Sequence, residues 1–243
     1  MVRKVLELEN IEYSHDDGHQ IFSNFNLTIN DGETVGIVGS NGTGKTTMFL
    51  LSTGIYQPKK GQIRLLGKKV SPRKFNPSIG MVFQNQDDQL FSPSVYEDIA
   101  FGLLNMGFDN VAVEKKASKI MDRLNISHLK NKQPHHLSGG EKRLVAIAGV
   151  LVMEPEFIIW DEPTSNLDMR YRRRLIDIIK DSQQSAMMIA SHDLEFILEV
   201  CNRVILLDNG QIILDGPPKK VLRNELVLSQ HGIEIPFSLK QFN

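Results

Sequence analysis

A single cysteine among 243 residues rules out an internal disulfide. That residue, Cys201, ends the apolar stretch Phe196-Ile197-Leu198-Glu199-Val200-Cys201, where a buried and inert thiol is expected. Neither sign of charge dominates: 28 basic and 29 acidic residues leave a formal net charge of −1, which gives no global attraction for nucleic acid or acidic lipid. Long hydrophobic runs are scarce. The longest, Val145 to Met153, stops at Glu154, far short of the roughly 20 residues a membrane-spanning helix needs. The first residues, Met1-Val2-Arg3-Lys4-Val5-Leu6-Glu7, hold no apolar segment of the kind a secretion leader has. No His, Cys or Asp cluster shows metal-ligand spacing, and His135-His136 read as loop polarity. Internal repeats and low-complexity tracts are missing as well. The expectation is a soluble, cytoplasmic polypeptide that can still bind a membrane protein.

A hydrophobic content of 41% supports a real core. The length fits one large α/β domain or a core with a smaller subdomain. Residues 2–35 read as strands and tight turns, with turn signals at Asp16-Asp17-Gly18 and Asn30-Asp31-Gly32. Gln62 to Gly67 and Ser78 to Phe83 read as short strands, and Gly54 as a helix C-cap. From about residue 90 to 150 the pattern turns helical. Ser94-Val95-Tyr96-Glu97 is a capping box, and Val113, Ala117, Ile120 and Leu124 recur at helical spacing. Phe157 to Trp160 and Met187 to Ala190 read as buried strands, with a helix from about Leu194. Val204 to Leu214 forms a hairpin around Asn209-Gly210. Pro217-Pro218 opens a short helical tail to which the sequence assigns no role.

The most specific motif is Gly39-Ser40-Asn41-Gly42-Thr43-Gly44-Lys45-Thr46. It lies between a strand-like run, Thr34 to Val38, and a helix-like run, Thr47 to Leu51. This is a P-loop in its structural setting. Glycines let backbone N–H groups turn inward as a concave anion site, and the helix points its positive end at the phosphates. Lys45 supplies a point charge for the β- and γ-phosphates, and the Thr46 hydroxyl can ligate Mg²⁺. A nucleotide-binding protein follows.

Two further motifs carry chemistry. The strand 157–160 runs into Asp161-Glu162. A carboxylate at the end of a buried strand in a P-loop protein is the usual second anchor for Mg²⁺, which suits Asp161. Glu162 then faces the attacking water as general base or orienting group. Taken alone, the pair also fits a cap on the turn Pro163-Thr164-Ser165. Leu137-Ser138-Gly139-Gly140-Glu141 precedes an apolar helix containing Leu144, Val145, Ala148 and Leu151. Ser138 with Glu141 is a capping box, a common helix start. The two glycines inside it expose backbone N–H groups and allow close approach, as a phosphate at a helix N-terminus requires. Without a lysine of its own, this grip reads as half a site.

Gly39–Thr46, Leu137–Glu141 and Ile158–Asp168, in this order and spacing, resemble the ATP-binding subunits of ABC transporters over nearly the whole chain. The resemblance implies the ABC ATPase fold: a RecA-like α/β core, an antiparallel β subdomain and an inserted helical subdomain. One domain then spans residues 1–243, with core and β subdomain at about 1–84 and 155–243, and the helical subdomain at about 85–154. It implies ATP and Mg²⁺ as ligands and two subunits packed head to tail, each ATP lying between one P-loop and the other subunit's signature loop. By position, Tyr13 matches the aromatic residue that stacks on adenine, and Thr47 extends the P-loop contacts. Gln84 matches the glutamine that touches Mg²⁺ or the attacking water and senses the membrane partner. Ser138, Gly139 and Gly140 match the signature contacts to the γ-phosphate across the dimer, and Asp168 the interface aspartate. Asp168 is also a good N-cap. His192 matches the switch histidine that hydrogen-bonds the γ-phosphate. Glu141 replaces the usual glutamine, Trp160 a common leucine, and Ser165-Asn166 the frequent Ala-Gly; none removes a catalytic group. Arg172-Arg173-Arg174 read as a solvated helix face.

The stretch Gln84–Phe91 followed by Ser94–Gly102 resembles the energy-coupling-factor branch, and within it the cobalt and nickel importers. Glu141 and the run Val145 to Leu151 point the same way. The segment reports partner type rather than substrate, so a vitamin stays open beside cobalt or nickel. The resemblance implies ATP hydrolysis that powers import, at the cytoplasmic face of a membrane. Its partners are a second ATPase subunit (a like copy or a paralogue), a transmembrane coupling subunit and a substrate-binding membrane subunit, with no nucleic acid. The alternative is a soluble ABC-type mechanical ATPase acting on nucleic acid or ribosomes. One P-loop, one signature, no heptad run and no basic charge disfavour it.

Overall fold

A computed structural model describes residues 2–240. The chain opens with β1 (Lys4–Ser14) and β2 (Gln20–Asn30), an antiparallel pair closed by a turn in which Gly18 takes φ +85°. Then come β3 (Thr34–Val38), α1 (Lys45–Ser52), β4 (Lys60–Leu65), β5 (Lys68–Lys69) and β6 (Ile79–Val82). Gly54, just past the end of α1, takes the left-handed conformation (φ +79°) that makes it a helix stop. Helices α2 (Val95–Asn105), α3 (Asn110–Arg123) and α4 (Gly139–Leu151) follow, then β7 (Phe157–Asp161), α5 (Met169–Lys180), β8 (Ala186–Ala190) and α6 (Leu194–Val200). The chain finishes with β9 (Arg203–Asp208), β10 (Gln211–Gly216), α7 (Pro218–Leu222) and α8 (Glu225–Gln230).

The strands form two sheets, β2-β1-β4-β5 and β10-β9-β3-β8-β7-β6. The first is antiparallel throughout. In the second, β3, β6, β7, β8 and β9 run parallel and β10 folds back on β9. Parallel strands need cover on both faces, and the residues of β7 show how it is divided. All five are buried, yet Phe157 and Ile159 join one apolar cluster while Ile158 and Trp160 join another. The first cluster fills the space toward α1 and the antiparallel sheet; the second packs the opposite face against α2 to α6. Cys201 sits in the second cluster, buried, with its thiol pushed up by desolvation, as the sequence led one to expect. Gly36 of β3 faces it: a Cβ there would lie 2.8 Å from Ile197, so glycine is what lets α6 settle on the central strand.

Between β6 and β7 the chain is wholly non-strand, and the expected boundaries at 84/85 and 154/155 fall in the connections flanking that stretch. Ser94 caps α2, its hydroxyl accepting the Glu97 N–H at 3.3 Å. Ser138 and Glu141 make both bonds of a capping box at α4. No helix among the described residues is long and apolar enough to cross a membrane.

Candidate nucleotide-binding site

The P-loop leaves the C-terminal end of β3, the strand held between β8 and β9, and enters α1. Gly42 and Gly44 take φ of +81° and +105°, conformations that turn the loop's N–H groups inward and that a side chain would strain. Gly39 is held by space rather than angle, since a Cβ would sit 2.3 Å from the Leu207 carbonyl oxygen. The Thr43 hydroxyl donates to the Ser40 carbonyl at 3.1 Å and closes the turn. The Lys45 ammonium donates to the carbonyls of Gly39 (2.7 Å) and Ser40 (2.8 Å). One of its three donors stays free for the cavity. Burial lowers the Lys45 pKa, against the pull of Glu162 and Asp161.

Above this loop lies a cavity of about 350 Å³. Among its lining are Asn41, Gly42, Gly44, Lys45, Thr46, Thr47, Gln84, Asp161, Glu162 and His192, all expected at the site. The Thr46 hydroxyl donates to Asp161 Oδ2 at 2.9 Å, bringing two hard oxygen donors together beside Gln84. This set fits Mg²⁺. Burial raises the Asp161 carboxyl above its usual range, with Thr46 and Lys45 opposing. Glu162 follows at φ +45°, a left-handed conformation uncommon for a glutamate and a mark of local strain. Its Oε2 accepts the His192 N–H at 3.1 Å. Its Oε1 is buried without a hydrogen bond and lies 3.3 Å from His192 Nε2. That nitrogen is 3.0 Å from Asn41 Oδ1, an arrangement in which Nε2 carries the proton. An unsatisfied carboxylate oxygen at a polar cavity is where a water would be held and deprotonated.

Tyr13 does not line this cavity. Its ring stacks on Tyr56, with centroids 5.5 Å apart and planes 10° from parallel. The residue that reaches the cavity is His15, edge-on to Tyr13 at 5.4 Å, together with His19 and Ile21. His15 lies just past the end of β1, which stops at Ser14, and it rather than Tyr13 lines the cavity. An imidazole also offers a flat face to a base, and the signal for it was its place directly before the Asp16-Asp17-Gly18 turn.

Arg143 is a residue that sequence reasoning missed. It lies in α4 just past the signature, almost fully buried, and donates to the carbonyls of Phe83 (2.7 Å) and Gln84 (2.9 Å). Desolvation lowers its pKa to about 10. The guanidinium therefore pins the segment carrying Gln84 to the signature helix. Arg172 corrects a second expectation. Rather than facing solvent, it grips Asp193 through two bonds of 2.6 and 3.2 Å, next to His192. Arg173 pairs with Glu199 at 2.6 Å.

Ser138, Gly139, Gly140 and Asp168 do not line the cavity of their own chain. Ser138 and Gly139 are exposed at the α4 N-terminus. Asp168 caps α5 by accepting the Tyr171 N–H at 2.9 Å, and the Tyr171 ring lies against Gly140.

A family model for "ABC transporter" matches residues 22–165. A Synechocystis protein named for an ABC transporter ATP-binding role is 43% identical over 97% of this chain and 82% of its own length. The energy-coupling factor transporter ATP-binding protein EcfA of Methanothermobacter thermautotrophicus is 38% identical over 96% of this chain and 77% of its own. Among solved structures, cbiO1 of Clostridium perfringens, part of the ABC transporter complex cbiONQ, aligns with TM-score 0.78 at 37% identity, covering 94% of each chain.

Proposed function

The chain belongs to the family of ABC transporter ATP-binding subunits, which hydrolyse ATP, and we propose that it powers a membrane importer of the energy-coupling-factor kind, for cobalt, nickel or a vitamin. The likeness to EcfA and cbiO1 along almost the whole chain carries this reading. A groove between β6, α2 and α4 supports it. The cavity there, about 220 Å³, is lined by Phe75, Ile79, Leu90, Phe91, Phe101 and Met153 among others. Phe75, Phe91 and Phe101 are 57%, 66% and 47% exposed, an aromatic patch of the kind that marks a protein-contact surface. In the same groove Asp98 accepts the N–H groups of Phe91 and Ser92 with one oxygen, and its other is buried without a partner. The exposed part of the surface suits an apolar helix. Its apolar character disfavours the nucleic-acid alternative.

ATP fits the site through the inward N–H groups of the P-loop, the free donor of Lys45 and the positive end of α1. Thr46, Asp161 and Gln84 would hold Mg²⁺, which neutralises phosphate charge when bound. Glu162 accepts the proton of the attacking water at Oε1, while the backbone N–H of His192 fixes its Oε2. His192 can turn from Asn41 to donate to the transferring phosphoryl group. The second half of each site is the outward-facing signature loop of another ATPase subunit, a like copy or a paralogue, offering Ser138, Gly139 and Gly140 with the helix dipole of α4. The chain would work at the cytoplasmic face of a membrane, bound to a transmembrane coupling subunit and a substrate-binding membrane subunit.

Co-expression with the membrane proteins encoded beside it tests the reading. The chain should enter the membrane fraction as a complex, and cells should accumulate radioactive cobalt, nickel or one vitamin in an ATP-dependent way. A complex that hydrolyses ATP but takes up none of these overturns the importer assignment.

A further inference from the structure

The tail beyond Pro217 has no part in the chemistry described so far. It is nonetheless built into the fold: Leu222 and Leu228 are fully buried, and Ile233, Ile235 and Leu239 pack on the main apolar cluster. After α8 the chain turns at Gly232 (φ +71°) and passes over the nucleotide site's supports. The His231 carbonyl accepts the Ser40 hydroxyl at 2.8 Å, and the His231 imidazole Nδ1 meets Asp208 Oδ2 at 2.8 Å. Asp208 ends β9, and the turn after it already leans on the P-loop, with Gly210 N–H donating to the Thr43 carbonyl at 3.3 Å. Further along, the N–H and hydroxyl of Ser238 bind the Glu195 carboxylate at 2.8 and 2.6 Å. Glu195 is in the first turn of α6, directly behind the loop of His192.

We propose that the tail positions the nucleotide machinery, His231 steadying the P-loop through Ser40 and Ser238 steadying the His192 loop through Glu195. None of these tail residues lines the cavity, so they act only through the groups they hold. The physical reason lies in the loop's composition. A segment with three glycines in six residues, Gly39 to Gly44, loses much backbone freedom when it wraps a phosphate. Contacts that order it beforehand reduce that loss and tighten binding. At the other end, the geometry between His192 and Glu162 determines how well water is activated, so the same tail bears on turnover there.

The two anchors therefore have different kinetic signatures, readable in steady-state ATP hydrolysis by the full chain. His231→Ala keeps the carbonyl that accepts the Ser40 hydroxyl but removes the ring's hold on Asp208 that fixes that carbonyl in place, and it should raise KM for ATP about fivefold, one hydrogen bond's worth, with kcat kept within about twofold. ADP affinity at equilibrium should fall by a similar factor. Glu195→Ala should lower kcat about fivefold with KM kept. The conservative variants His231→Asn, which can still donate to Asp208, and Glu195→Gln, which can still bind Ser238, should restore each constant. A tail that merely packs on the core would lower Tm in both alanine variants without separating KM from kcat. That outcome, or unchanged kinetics in both, overturns the proposal. The inference rests on the family's ATPase activity and not on the importer reading, so a failed uptake assay leaves it standing.

Discussion

Glycines and the side chains beside them decide much of this site. Gly140, in the signature, has helical backbone, so conformational freedom does not explain it. A Cβ there would lie 2.5 Å from the Tyr171 ring, whose backbone is fixed by the Asp168 cap. Gly140→Ala should therefore lower stability by about 1–3 kcal/mol, the usual cost of overpacking, although alanine ordinarily favours a helix. Adding Tyr171→Ala should recover most of the loss. Denaturation of the single and double variants checks this: a Gly140→Ala protein that unfolds like wild type would show that the ring yields at no cost. The clash was invisible in the sequence because Gly140 and Tyr171 meet only through the tertiary fold. Lys45, Asp161, Glu162 and His192 were legible because each directly follows or closely trails a strand whose end must face the same cavity. That His15 rather than Tyr13 lines the cavity was not legible, because strand patterning does not say how far along the chain a pocket begins. Arg143 and Arg172 were missed for a related reason: a charged residue on a helix looks solvated until the neighbouring loop is placed.

Among the larger elements, the strands and the Asn209-Gly210 hairpin follow closely from pattern and turn chemistry, and so do the capped starts of α2 and α4. The helices α2 and α4 also make the apolar groove, which Leu90 and Phe91 help to line. Leu90 is half-buried against the core, whereas Phe91 is 66% exposed and meets Phe101 edge-on at 4.9 Å. Phe91→Asp should change stability by less than about 1 kcal/mol, since little apolar area leaves the interior. Nucleotide affinity should be unchanged, because Phe91 does not line the P-loop cavity. Co-purification with the membrane subunit should fall sharply. Melting temperature, ADP affinity and membrane-fraction yield on the same variant decide the matter. Joint loss of all three would mean that Phe91 belongs to the packing of this region and not to a docking surface.

In the molecule as a whole, the signature loop does not line the P-loop cavity, and neither completes the other within the chain. The exposed Ser138 and Gly139 and the 76% exposed Met169 beside Asp168 are free to take part in the proposed interface between two copies or paralogues arranged head to tail. Such an interface should form when ATP is present on both sides and come apart when it is hydrolysed. Glu162→Gln keeps the shape of the side chain and still accepts the His192 N–H, but the amide cannot take a proton from water. Turnover should fall by at least about 100-fold, at the lower end of what general-base catalysis contributes. The protein should then accumulate as an ATP-bound dimer in size-exclusion runs with Mg·ATP and remain monomeric with ADP. Adding Ser138→Arg puts bulk where the partner's nucleotide must approach and should return the protein to a monomer, with ATP affinity at the P-loop kept. A Glu162→Gln chain that binds ATP yet stays monomeric alone and with its paralogue, at high protein concentration, would sink the sandwich arrangement and leave Gly140 to Tyr171 packing alone.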